Sequence, residues 1–196
     1  MDHEHHTSHE AHGSTATRTM ALAATLHCLT GCAIGEILGL VIGTAIGLST
    51  GWTIVLAVSL AFLFGYVLST LPLLKAGLGV GAALSVVLAA DTLSIAIMEL
   101  VDNTVIALIP GAMDAGLVNP TFWVGLVIAL TAAFFAAYPV NLWLLGRGKG
   151  HALTHGYHGA AVATGWRRFV PTIATSTLVV GILTFALGGF LVAVAA

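Results

Sequence analysis

The chain has 196 residues, 58% hydrophobic and only 7% charged, with a formal charge of −2 and a mean hydropathy of +1.03. Soluble domains carry about a quarter charged residues, so an ordinary soluble fold is excluded. The absence of a basic stripe with interleaved aromatics excludes nucleic acid as a partner.

Apolar stretches of about 20 residues, each long enough to cross roughly 30 Å of hydrocarbon, recur along the chain. They lack strand-like alternation, and helices satisfy their own backbone in lipid. The expectation is an all-α, polytopic membrane bundle of about five helices, with the lipid bilayer as its first partner.

Residues 1–19 read as a disordered tail carrying His3, His5, His6, His9 and His12. These histidines are irregularly spaced among Glu residues, which suggests an auxiliary metal-gathering segment rather than a purification tag. It does not read as a cleavable signal, because the apolar segment behind it contains His and Glu. Residues 20–196 form the transmembrane domain. The first span is expected at 20–49 and the second at 52–71, closed by Pro72. The third covers 77–101, with a weaker continuation through Ile109 ahead of Pro110-Gly111. The fourth covers 120–145 and the fifth 172–194.

With five spans, Arg18, Lys75, Arg147, Lys149, Arg167 and Arg168 all fall on one face. The positive-inside rule makes that face cytoplasmic and the N-terminus with it. The expected location is the cell inner (cytoplasmic) membrane. His151, His155 and His158, spaced i, i+4, i+7 in the long fourth loop, lie on the same side.

The densest chemistry opens the first span: His27-Cys28-Leu29-Thr30-Gly31-Cys32-Ala33-Ile34-Gly35-Glu36. Ionisable groups inside a membrane are expensive and mark sites or pathways. Cys28, Cys32 and Glu36 form one slowly drifting helical stripe. Counted from the cytoplasmic end, Glu36 and Asp91 reach comparable depth and are expected to form a midplane relay. Met98, Glu99 and Asp102 continue the polar face outward, and Asn141 lies near the cytoplasmic end of the fourth span. Gly31, Gly35, Gly39, Gly43 and Gly47, at steps of four, leave a groove in which another span can dock.

Thiolate and imidazole suit copper(I), zinc or iron, whereas carboxylates suit harder ions or protons. The metal ligands expected are His27, Cys28, Cys32 and Glu36, completed by His151 or His155. Haem on a lone His27 and a thioredoxin-like thiol oxidase rank lower, the latter because Cys-x-x-x-Cys lacks the closer spacing. A packing role for the cysteines, and a proton-sharing carboxyl pair that merely pins helices, are the bland alternatives.

The His-Cys-x-x-Gly-Cys-x-x-Gly-Glu motif is joined by Ala90-Asp91-Thr92, by Met98-Glu99-x-x-Asp102-Asn103, by Pro139-x-Asn141 and by Gly148-x-Gly150-His151. Together they resemble a prokaryotic membrane family of unknown function, over roughly residues 20–195. Its members are sometimes labelled copper oxidase or occur beside cupredoxin-type domains. The resemblance implies a shared polar site at these positions, with a tilt toward copper; this chain carries no cupredoxin domain of its own.

The expected function is binding of a transition metal, copper favoured and zinc or iron the alternatives, and its handling or transport through the His/Cys/carboxylate site. The competing reading is a membrane redox enzyme or accessory subunit using the thiols or a bound metal. Homo-oligomers or a redox partner are compatible with either.

Overall fold

The computed structural model describes residues 5–147, 165–171 and 173–196. It is all-helical, with α1 at His5–Ala45, α2 at Thr50–Lys75, α3 at Val80–Leu108, α4 at Pro120–Gly146 and α5 at Thr175–Ala195. A short 3-10 turn, Gly165–Phe169, precedes α5. Five helices are long and apolar enough to cross a membrane, the first over Thr15–Ala45. The chain is therefore a multi-pass membrane protein. α1 is described as helical from His5, inside the stretch read from sequence as a tail.

The α1–α2 and α2–α3 connections are tight turns built alike. Gly47 (φ 72°) and Gly77 (φ 106°) take the left-handed conformation after the last helical turn. Leu48 N–H then reaches back to the Gly43 carbonyl (2.8 Å), and Leu78 N–H to that of Leu73 (3.1 Å), satisfying carbonyls that the helix end would otherwise orphan. Pro72 does not close α2. It sits inside the last turn, where it leaves one helix carbonyl without its usual N–H donor, and the helix runs on to Lys75. α4 begins as its sequence suggests, with Pro120 in the first turn and the Asn119 side chain accepting from Thr121 N–H at 2.9 Å.

Close approach of α1 and α2 organises the bundle. A Cβ added at Gly31 would fall on the backbone of Gly65, one at Gly35 on Ala61, one at Gly39 on Ala57, and one at Gly43 on the Thr53 side chain. Each step of four along α1 meets a step of four backward along α2, which is an antiparallel register. The glycine groove expected from sequence thus docks α2, while Gly47 leaves the groove to make the turn. α1 also touches α3, α4 and α5, and is the most enclosed of the five spans.

α5 is held differently. Trp123 donates its indole N–H to the Leu117 carbonyl (2.8 Å) and lies edge-on to Phe185, with centroids 5.7 Å apart. The same ring covers Gly189, where a Cβ would strike it.

Gly35→Ala should cost about 1–3 kcal/mol of stability, because the added methyl must push two backbones apart. Gly51→Ala should cost almost nothing, since a Cβ there meets no atom within 4 Å. Thermal unfolding of the two variants in detergent tests the pair.

Candidate functional site

α1 and α3 run parallel, separated in sequence by the antiparallel α2, so their polar stripes meet rung by rung. Cys28 lies beside Asp91, and Glu36, about two turns further along α1, lies beside Asp102, about three turns further along α3.

The rung nearest the basic loops joins α1, α3 and α4. The Cys28 thiol, fully buried, lies beside Ser94 and Asp91. Asn141 donates its Nδ2 to Thr25 Oγ1 (2.9 Å) and to Ser94 Oγ (3.0 Å). Thr25 passes its own proton to the Ala21 carbonyl at 2.7 Å. Ala133 and Ala137, both fully buried one and two turns along the same α4 stripe, let Asn141 come this close. This buried, cross-satisfied knot fixes the positions of three helices.

The middle rung sets Cys32 beside Glu99, with Met98 in the same buried cluster as both cysteines. Cys28 and Cys32 are free thiols. In the upper rung Glu36 faces Asp102, and Glu99 also lies within electrostatic reach of Asp102. Ionised carboxylates only accept hydrogen bonds, so neither of these two can satisfy the other unless one of them carries a proton. Both oxygens of Glu99, both of Asp102 and Oε2 of Glu36 are enclosed and lack a hydrogen-bond donor. No Lys, Arg or His is found among the buried residues described. An ionised carboxylate held so costs several kcal/mol, and a proton or a bound cation is what relieves that cost. The ladder is chemically a cation-seeking column.

The sequence residues are thus brought together, but not all as expected. The structure sets Glu36 beside Asp102 and Glu99, and Asp91 beside Cys28, contacts that the sequence reading had not paired.

His27 stands apart from the stripe. It is half-buried, and its ring Nδ1 lies 2.9 Å from the Ala23 carbonyl one turn back. Among the described residues no three His, Cys, Asp or Glu side chains converge as ligands for an ion. His151, His155 and the tail's His3 fall outside the described residues, as do the side chains of His5, His6, His9 and His12. Thr25 is the member that the sequence reading missed. It continues the Cys28–Cys32–Glu36 stripe one turn toward the N-terminus, a signal that extending the stripe would have found.

If the carboxylates are kept for function rather than for packing, neutral replacements should not hurt the fold. Glu99→Gln and Asp102→Asn are expected to leave the melting temperature unchanged or raise it. Asn141→Ala, which strands two buried hydroxyls, should lower stability by about 1–3 kcal/mol. Equal losses in all three variants would make the acids structural glue.

No curated protein and no solved structure matches the chain. Residues 17–150, which contain every rung of the ladder, match the family described as Domain of unknown function (DUF4396), and the chain belongs to that family.

Proposed function

We propose that this protein binds a transition-metal cation, copper(I) in preference to zinc or iron, and passes it across the cytoplasmic membrane along the α1–α3 ladder, with its N-terminus in the cytoplasm. The observation that carries the reading is the column itself: sulfur at Cys28, Cys32 and Met98, then donor-less carboxylates at Glu99, Asp102 and Glu36, with no basic residue among the buried ones. Soft sulfur ligands select copper(I) over harder ions. Copper(I) also accepts two ligands in line, which fits a ladder of successive pairs better than a closed cage. His151 or His155 would complete the inner mouth, and the tail histidines would gather ions there.

A second reading takes the same column as a proton relay with no metal cargo. The neighbouring carboxyls of Glu36 and Asp102 favour it, because a proton placed between them would satisfy both.

Sealed vesicles containing the purified chain separate the two. Under the metal reading, added copper(I) protects Cys28 and Cys32 from alkylation, and Cys28→Ser with Cys32→Ser abolishes both protection and copper flux. Glu36→Gln and Asp102→Asn should each cut flux by about tenfold or more, a barrier change of roughly 1.4 kcal/mol, while thiol protection persists. Proton flux that survives the double cysteine variant and stops in either carboxyl variant, with no copper flux in the parent, would establish the proton relay instead.

A further inference from the structure

The ladder is not closed at its upper end. A cavity of about 210 Å³ opens from the face opposite the basic loops and descends between α1, α2 and α3 to Glu36. Its mouth is formed by Asp114 on the α3–α4 connection and Thr50 at the start of α2; the hydroxyl of Thr50 is 3.4 Å from Asp114 Oδ1. Its walls carry Thr53 and Asn103, and Glu36 lies at its floor. The Asn103 amide gives its Nδ2 proton to the Glu99 carbonyl at 2.9 Å, which leaves the amide oxygen as the group that can meet a ligand.

We propose that this vestibule is a binding site for a hydrated divalent cation arriving from the acidic face. Three features select that class. The polar groups named are all oxygen donors, carboxylate, hydroxyl and amide, which suit hard cations and not the soft ion of the thiol rungs. The volume holds about seven waters at bulk density, enough for an ion that keeps its first water shell. The floor lies about 13 Å below the end of α1 at Ala45, and behind it Asp102, 2% exposed, has neither oxygen hydrogen-bonded. A cation at the floor supplies the charge that this enclosed pair lacks. Asp114 captures the ion at the mouth, where it is still exposed to water, and Glu36 receives it below.

The site is independent of the copper reading, and its test removes the thiols that reading needs. In full-length protein carrying Cys28→Ser and Cys32→Ser, reconstituted in sealed liposomes, single cysteines are placed on apolar wall positions by Ile54→Cys and by Ile106→Cys. Gly51→Cys marks the acidic face, Ala76→Cys the basic face, and Val55→Cys a lipid-facing position on α2. A membrane-impermeant maleimide should modify the Ile54→Cys and Ile106→Cys variants from the same side as the Gly51→Cys variant, and leave the Val55→Cys variant unmodified. Mn2+ at about ten times its dissociation constant should slow both vestibule reactions about tenfold. Adding Asp114→Asn or Glu36→Gln should abolish most of that slowing.

Reagent that never reaches either wall while the Gly51→Cys marker reacts would show the vestibule closed. Reagent that reaches both walls with no effect of Mn2+ would show water without a cation site. Either result overturns the proposal. Ile54 and Ile106 lie on different helices, so failure of one variant to assemble leaves the other to decide.

Discussion

The bundle depends on how closely α2 can lie against α1. Lipid gives helices no hydrophobic reason to associate, so packing and small residues must supply it. The groove at Gly31, Gly35, Gly39 and Gly43 does this by letting the α2 backbone occupy the space of absent side chains. Once α2 is seated, the Cys28–Cys32–Glu36 stripe lies about 100° further around α1, where α3 comes to rest beside α2. The acids of the ladder are therefore not needed to hold the first two helices together. α4 is tied in by the neutral Asn141–Thr25–Ser94 knot, which leaves the carboxylates with little structural work.

The two ends of the ladder differ in chemistry and in access. Near the basic face the groups are thiol, hydroxyl and amide, with the single carboxyl of Asp91 beside Cys28, all within a packed three-helix contact. Near the acidic face they are carboxylates, and a water-sized opening leads down to them. Cys32 and Glu99 mark the change, sulfur against oxygen on one rung. A cation moving along this column would exchange soft ligands for hard ones partway through. It would meet bulk water at one end sooner than at the other.

Much of this was legible in the sequence, because span length, glycine spacing and stripe spacing are all local properties. The five spans, the groove and the α1 stripe follow from residues a few positions apart. Cross-helix pairing does not, because it depends on where each helix begins relative to the bilayer. Glu36 comes to lie beside Asp102, about three turns beyond Asp91 on α3. Side-chain direction was also hidden. His27 adjoins Cys28 in sequence, yet one residue is about 100° of helix, and its ring turns back to its own backbone.

The motif His27-Cys28-x-x-Gly31-Cys32-x-x-Gly35-Glu36 encodes two faces with one repeat. Each ladder residue at Cys32 and Glu36 directly follows a groove glycine, and both series advance by four. Four residues overshoot a full turn by about 40°, so stripe and groove drift around α1 in the same direction at the same rate. A helix packed on the groove and a helix packed on the stripe can then follow α1 side by side over several turns without either losing its contacts. An insertion of one residue inside the motif would turn the later part of both series by about 100° relative to the earlier part. Neither α2 nor α3 could then follow its series through the break. The four-residue spacing therefore constrains the ladder's geometry as strongly as the identity of its thiols and carboxylates does.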